Sequence, residues 1–238
     1  MKLPASYYQQ NDVVHIAKDL IGKVIVSMVD DKRTAGIITE TEAYRGVGDK
    51  ACHAHLGRFT DRTKIMYENG GVAYVYLCYG IHNLFNIITN TDQQADAVLI
   101  RAAEPTEGIE HMLHRRGKEK LDKTLTSGPG NFSKAFGLDR SHYGEDLTGD
   151  LVWIEDAEVF AQEVAERSQS YLDDSSKQIT SAHFDFDQRP PLNDIGSDKI
   201  ISKEDIITSK RIGIDYAEED ADLPWRFYLW SSQFVSKR

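Results

Sequence analysis

The first half of the chain alternates between apolar residues at helical spacing and apolar residues at strand spacing. Residues 11–23 read "NDVVHIAKDLIGK", an amphipathic helix that either Asn11 or Asp12 can cap. The segments "KVIVSMV" and "AGIITETEAY" are rich in β-branched residues and predict two strands joined by the polar turn "DDKR". An irregular stretch over residues 45–71 follows, and loops of that length are often functional.

The rest of the chain predicts more strands and two further helices. The segment "VAYVYLCYGIHNLFNIIT" predicts a hairpin that turns at Tyr79 and Gly80, and "DAVLIRAAEP" predicts a strand that Pro105 ends. Helical spacing recurs in "EGIEHMLHRR" and "SGPGNFSKAFGL", while "DLVWIED" and "PWRFYLW" predict strands. Helices and strands do not alternate regularly, which disfavours a doubly wound parallel sheet.

These elements predict an α+β fold. We expect a single domain over residues 1–238, with a mixed, mainly antiparallel curved β-sheet, a protruding β-hairpin and surrounding helices. The segment at about 166–203 is polar, acidic and contains "QRPPLND", which is typical of a surface insertion.

Composition is ordinary for a soluble protein of a reducing compartment. The chain is 40% hydrophobic and 28% charged, and no apolar run approaches the roughly 20 residues that cross a bilayer. The first residues contain no apolar signal core, and Cys52 and Cys78 are too few for a disulfide framework. We expect a cytoplasmic protein that is not secreted, associated with the nucleoid if the source is bacterial.

Charge is distributed unevenly along the chain. The formal net charge of −10 argues against a polyanion bound over the whole surface. Residues 1–140 nevertheless carry a net charge of +1, and residues 141–238 carry −11. This asymmetry permits nucleic acid binding by the first part without predicting it.

The stretch "ITETEAY" holds the first candidates for chemistry. Strand periodicity places Ile38, Glu40, Glu42 and Tyr44 on one face. Charged residues seldom share a buried face unless they are paired or used. The stretch is therefore either a solvent-exposed polar face, the usual case for Glu-x-Glu, or the site of a general base at Glu42.

Three tyrosines of the predicted hairpin form a second candidate set. Tyr74 and Tyr76 share a strand face, and Tyr79 lies at the turn. Aromatic residues commonly pack in cores, but their faces also stack on nucleic acid bases, and a bulky side chain at a turn can wedge into a duplex.

Other polar residues lie on apolar strands or on the irregular stretch. His53, Asn86 and Arg101 would by default make ordinary structural hydrogen bonds. Several histidines and the two cysteines could suggest a metal, but their spacing fits no zinc pattern. We expect neither a metal nor another cofactor.

Together these segments resemble the alkyladenine (3-methyladenine) DNA glycosylase family, which excises alkylated purines. The resemblance rests on segments that occur in the family's order and cover most of residues 11–152 and 206–235. They are "VVHIAKDLIGK", "ITETEAYRGVGDKACHA", "YVYLCYGIHNLFNI", "VLIRAAEP", "SGPG", "RIGIDYA" and "PWRFYL".

The resemblance implies base-excision repair by a monofunctional hydrolytic enzyme. Glu42, not Glu40, matches the family's general base, which activates a water for attack on the anomeric carbon of the damaged nucleotide. Arg101 matches an arginine beside that water. The implied substrates are 3-methyladenine and 7-methylguanine, with hypoxanthine and ethenoadenine as further candidates, in double-stranded DNA that contains the damaged purine. We expect a monomer that leaves an abasic site.

The resemblance also assigns residues that bind the flipped nucleotide. Tyr79 matches the tyrosine that fills the space vacated in the duplex, and the flipped base is stacked by residues matching Tyr44 and Tyr76, with His53 completing the pocket. Asn86 matches the asparagine that disfavours the exocyclic amine of guanine.

Several points remain open from the sequence. Asn131 stands where the family often has a lysine near phosphate, so Lys134 is a candidate replacement, and Arg58, Arg62 and Lys64 are candidates for backbone contacts. The alternatives are a non-catalytic nucleic-acid-binding module with the same fold and a carbohydrate glycosidase that pairs Glu40 with Glu42.

Overall fold

The strand that carries "ITETEAY" lies inside the sheet rather than at its edge. A computed structural model of the protein describes residues 1–91, 93–157 and 205–238. The predicted insertion at about 166–203 therefore lies outside the described residues.

The described residues form four α-helices, eight strands and four 3₁₀-helices. The α-helices are α1 (Ala5–Tyr8), α2 (Val13–Asp19), α3 (Ile109–Arg116) and α4 (Pro129–Phe136). The strands are β1 (Val24–Val29), β2 (Lys32–Tyr44), β3 (Ala73–Cys78), β4 (His82–Thr89), β5 (Asp96–Glu107), β6 (Val152–Glu155), β7 (Ile206–Ser209) and β8 (Arg226–Leu229). The 3₁₀-helices are His55–Gly57, Lys64–Tyr67, Arg140–His142 and Asp215–Asp222.

Local sequence signals set the ends of the helices. The Asp12 side chain accepts from the backbone N–H groups of Val14 and His15 at 3.1 and 3.0 Å, so Asp12 rather than Asn11 caps α2. Helix α4 begins at Pro129, and Gly137 ends it in the left-handed conformation with φ 75°.

The sheet confirms the predicted α+β class. Its strand order is β3-β4-β5-β2-β1-β6, and β8 pairs with both β2 and β7. Every pairing between these described strands is antiparallel. Strand β7 and the short helix α1 were not predicted from the sequence. Among the described residues, no helix is both long and apolar enough to cross a bilayer.

Irregularities in the β2–β5 ladder correct two expectations. Pro105 does not end its strand, because it lies within β5 beside a register shift, where a missing N–H is tolerated. A second shift leaves Thr39 without a partner and changes the alternation of β2. Ile38 consequently packs in the same core cluster as Ala43, not on the face of Glu42 as strand periodicity had predicted.

The two faces of the sheet pack against different parts of the chain. On one face, side chains such as Ile87 and Val98 form the main core with Phe132 of α4. On the other face, their neighbours Ile88 and Ala97 form a smaller cluster with residues of the 45–71 stretch. The side of the sheet away from the helices therefore carries the aromatic and polar residues that the sequence singled out.

Replacement of Phe132 by alanine tests the helix-covered core. Phe132 is fully buried, with ring centroids of Phe136 and Phe85 at 4.6 and 6.4 Å. We expect Phe132→Ala to lower the free energy of unfolding by about 3–5 kcal/mol. The matched Phe59→Ala, at a 66% exposed position, should cost about 0.5 kcal/mol or less. Urea denaturation followed by circular dichroism measures both, and equal losses would contradict this packing.

Candidate functional site

A row of paired residues crosses four strands of the sheet. Tyr74 pairs with Asn86, Asn86 pairs with Leu99, and Leu99 pairs with Glu42. Neighbouring strands lie about 4.8 Å apart, so the row brings residues from β3, β4, β5 and β2 into one patch. Hydrogen-bond register thus gathers residues that are up to 57 positions apart in sequence.

A cavity of about 810 Å³ opens over this row. Its size lies in the usual range for small-molecule sites, about 300–1,000 Å³. Six of the seven residues singled out in the sequence line it: Tyr44, His53, Tyr76, Tyr79, Asn86 and Arg101. The seventh, Glu42, is not part of the lining but contacts three residues that are, Tyr44, Arg101 and Ile212.

The Glu42 carboxylate is fully buried and is held by groups from three segments. Its Oε1 accepts from the Ile212 backbone N–H at 2.8 Å and lies 3.2 Å from Nη1 of Arg101. Its Oε2 accepts from the Tyr44 hydroxyl at 2.7 Å. Tyr44, Arg101 and Ile212 all line the cavity. Because a carboxylate oxygen can accept more than one hydrogen bond, Oε2 retains capacity for a water.

Glu40 is bound mainly by two arginine side chains, unlike Glu42. Its Oε1 accepts from Nε of Arg101 at 2.9 Å and from Nε of Arg226 at 2.7 Å, and its Oε2 accepts from the Ser236 backbone N–H at 2.6 Å. Burial alone would raise the pKa of Glu40, but the two guanidinium groups hold it below its usual value. Of the residues that bind Glu40, only Arg101 lines the cavity, which argues against a catalytic pair of Glu40 and Glu42.

Arg101 reaches both carboxylates because it is the extra residue of a β-bulge. Glu40 pairs with Ala102 and Thr41 pairs with Ile100, so Arg101 has no partner in the ladder. Burial would lower the pKa of Arg101, but Glu42 and Glu40 raise it above its usual value. The guanidinium therefore stays charged between two carboxylates.

Aromatic rings form one wall of the cavity. The Tyr74 and Tyr76 ring centroids lie 5.3 Å apart with an angle of 31° between the planes. His53 meets Tyr76 edge to face, with centroids 4.7 Å apart. Burial, reinforced by the Glu42 carboxylate, raises the pKa of Tyr44 well above its usual value, so this hydroxyl stays protonated and donates to Glu42.

His53 is held in its neutral form. Its Nδ1 lies 2.8 Å from the Tyr74 hydroxyl, and its Nε2 lies 3.1 Å from the Arg62 guanidinium, which can only donate. Burial, together with the positive charges of Arg62 and Arg58, lowers the pKa of His53 to about 4.

Tyr79 projects from the turn between β3 and β4. Its side chain is 87% exposed, and its backbone has φ 51°, followed by Gly80 with φ 73°. Two consecutive positive φ values are the signature of a tight hairpin turn, and a tyrosine at the first position is unusual. Solvent rather than packing surrounds this ring at the edge of the cavity.

Asn86 is fixed by the backbone of its neighbours. Its Nδ2 donates to the Tyr74 carbonyl at 3.1 Å and to the Leu84 carbonyl at 3.3 Å. The buried amide therefore presents a rigid surface to the cavity.

The basic and polar residues considered for phosphate contacts divide into two groups. Arg58, Arg62 and Asn131 line the cavity, and the Asn131 amide donates to the Ser127 carbonyl at 2.8 Å. Lys64 is instead 3.3 Å from the Asp61 carboxylate.

Three site residues were missed from the sequence. Ile212 supplies the backbone donor to Glu42, Tyr216 lines the cavity, and Arg211 covers the Tyr44 ring with its guanidinium 4.8 Å from the ring centroid. The quoted segment "RIGIDYA" contains all three, but nothing in its pattern relates it to a strand 170 residues earlier.

Within the described ranges, no group of three or more His, Cys, Asp or Glu side chains is arranged to hold a metal ion.

Comparison with known proteins identifies the family. The family model of methylpurine-DNA glycosylase (MPG) matches residues 6–170. Similar proteins each carry the name "Putative 3-methyladenine DNA glycosylase". One from Desulfitobacterium hafniense (strain Y51) is 38% identical, with 99% of this chain and 98% of the relative covered. One from Chlamydia felis (strain Fe/C-56) is 39% identical, with 95% of each chain covered. The chain belongs to the methylpurine-DNA glycosylase family.

Proposed function

We propose that this protein removes alkylated purines from duplex DNA by monofunctional hydrolysis, leaving an abasic site for base-excision repair. The proposed substrates are 3-methyladenine and 7-methylguanine, with hypoxanthine and ethenoadenine as further candidates. The observation that carries this proposal is the buried Glu42 carboxylate, which lies beside an aromatic cavity and keeps capacity for one more hydrogen bond.

In the proposed reaction Glu42 is the general base. A water bound to Oε2 attacks the anomeric carbon of the nucleotide, and its proton passes to Glu42 as the new C–O bond forms. The N-glycosidic bond breaks, and its electron pair leaves with the purine. A purine made cationic by alkylation leaves as a neutral base, so 3-methyladenine and 7-methylguanine need no separate acid, whereas hypoxanthine and ethenoadenine would have to take up a proton from solvent as they leave.

Arg101 would orient this carboxylate and bind the nucleotide. Its Nε and Nη2 donate to Glu40 and to the Ser236 hydroxyl, its Nη1 is ion-paired with Glu42, and a guanidinium has five N–H groups. The remaining donors are available to a water or to a phosphate oxygen at the cavity wall.

The aromatic wall supports recognition of a base taken out of the helix. Electron-poor alkylated purines stack well on electron-rich rings, and Tyr44 and Tyr76 both line the cavity. Neutral His53 adds a polar edge. The rigid Asn86 amide would exclude the exocyclic amine of guanine, because hydrogen bonds to the backbone prevent it from moving aside.

Tyr79 supports flipping of the nucleotide. The cost of unstacking a base is a few kcal/mol, and an aromatic ring that enters the vacated space can offset part of it. The exposed ring at a constrained turn beside the cavity suits this role.

Replacement of Glu42 tests the proposed base. We expect Glu42→Gln to lower single-turnover release of the damaged base from duplex DNA by about 10²–10⁴-fold, since proton acceptance is lost. The matched control Glu110→Gln changes a half-exposed glutamate of α3 and should retain the wild-type rate. High-performance liquid chromatography of the released free base measures the rates of both variants, with no metal added. Duplex binding by the wild type without release would support the non-catalytic module instead.

Replacement of Tyr79 tests the proposed wedge. On duplex substrate we expect Tyr79→Ala to lower the rate of base release about tenfold or more, because no aromatic ring then offsets the free-energy cost of flipping the nucleotide. On a single-stranded substrate the rate should change little, since no partner strand holds the base. Leu121→Ala, at another exposed apolar position, is the control. Equal losses on both substrates would contradict the wedge.

The lowered pKa of His53 predicts a pH dependence of stability. An unfolded histidine titrates near pH 6.5, and His53 in the fold titrates at about 4. The unfolded state therefore binds more protons between these values, so this contribution is fully present above pH 6.5 and is lost as pH falls toward 4. The midpoint of urea denaturation should decrease between pH 7 and pH 5, and this decrease should be larger for the wild type than for His53→Asn. NMR titration of the imidazole near pH 6.5 would refute the neutral assignment.

A further inference from the structure

Arg211 and Asp49 form a fully buried ion pair behind the Tyr44 ring. Nη1 of Arg211 lies 2.6 Å from Oδ2 of Asp49, and Nη2 lies 2.8 Å from Oδ1. Neither side chain is exposed. The guanidinium lies 4.8 Å from the centroid of Tyr44 and 5.1 Å from that of Trp225. Tyr44 lines the cavity and Arg211 does not, so Arg211 supports the ring from outside the cavity.

The Asp49 carboxylate also orders the chain that follows β2. Oδ2 accepts from the Arg45 backbone N–H at 3.2 Å, and Oδ1 accepts from the Ala51 backbone N–H at 2.9 Å. One carboxylate thus closes the turn that leads from Tyr44 to His53 while it binds Arg211.

Arg211 in turn fixes the segment that donates to Glu42. Besides Asp49, its guanidinium donates to the Ala43 carbonyl at 2.9 Å and to the Asp220 carbonyl at 3.1 Å. The next residue is Ile212, whose backbone N–H donates to Oε1 of Glu42. Holding the Arg211 side chain to the end of β2 therefore holds this donor opposite the carboxylate.

A contribution to stability alone does not explain such a pair. Removal of two charges from water costs several kcal/mol per ion, and apolar replacements of buried pairs are often neutral or stabilising. Burial would lower the pKa of Arg211, but Asp49 raises it above its usual value, so the guanidinium stays charged. What an apolar pair could not supply is the bidentate geometry that joins Tyr44, the turn and Ile212.

We propose that the Arg211–Asp49 pair is the positioning element of the site, which sets the Tyr44 ring and the Ile212 N–H in the orientation that Glu42 requires. The inference rests on the proposed glycosylase function. Arg211 lies outside the cavity lining, so both members act through Tyr44, Ile212 and Glu42 rather than on the substrate.

The test compares Arg211→Lys and Asp49→Asn with the wild type. Lysine keeps the charge but loses the planar fork, and asparagine keeps the shape but loses the charge. The control is Arg33→Lys, because Arg33 makes a similar contact with Glu107 at 2.7 Å away from the cavity. Measurements are the single-turnover rate of base release from duplex DNA, the Kd for a duplex with a tetrahydrofuran abasic site, and the melting temperature.

We expect both variants to lose about 100-fold in rate, the loss that a small misplacement of a reacting group can cause. The Kd for the abasic duplex should stay within about threefold, because that ligand has no base to stack on Tyr44. Arg33→Lys should match the wild type in all three.

Each other outcome overturns the inference. Wild-type rates in either variant would show that the pair does not position the site. Failure of both variants to fold, or rate losses matched by equal losses in binding, would assign the pair to stability alone. If the wild type itself released no base from any duplex, the proposed function would fail first, so the two failures are distinguishable.

Discussion

A single buried carboxylate, that of Glu42, is the interaction on which the rest of the structure depends. Taking it out of water is costly unless donors or positive charges surround it. The fold supplies two donors, the Tyr44 hydroxyl and the Ile212 N–H, and the positive charge of the Arg101 guanidinium. Tyr44, Arg101 and Ile212 also line the cavity, so the residues that stabilise the buried carboxylate also form the cavity wall.

The buried charges around Glu42 are equal in number. Three buried carboxylates face three buried guanidinium groups: Glu40, Glu42 and Asp49 with Arg101, Arg211 and Arg226. Asp49 is bound by Arg211, and Glu40 is bound by Arg101, Arg226 and Ser236, whereas all three residues that bind Glu42 line the cavity. The arrangement separates structural anions from the one proposed for chemistry, although Glu40 and Glu42 are only two residues apart.

Much of this was predictable from sequence, for reasons that differ between elements. Helix α2 and the β3–β4 hairpin follow from local signals, a capping Asp12 and a turn at Tyr79. The resemblance singled out six residues that meet at one cavity. Two β-bulges in the β2–β5 ladder were not predictable, because they depend on the register between the two strands and leave no periodic pattern in the sequence. One bulge directs Arg101 toward the carboxylates, and the other moves Ile38 to the opposite face. Arg211 and Asp49 were missed because each is an ordinary charged residue until a contact across 162 positions pairs them.

The central proposal is that the Glu42 carboxylate is the general base beside the anomeric carbon, where positive charge develops as the N-glycosidic bond breaks. The most direct measurement compares the wild-type Kd for two duplexes, one with a neutral tetrahydrofuran abasic nucleotide and one with its cationic pyrrolidine counterpart. An anionic site complementary to the transition state should bind the cation about tenfold more tightly or better. Equal affinity for the two duplexes would contradict the proposal.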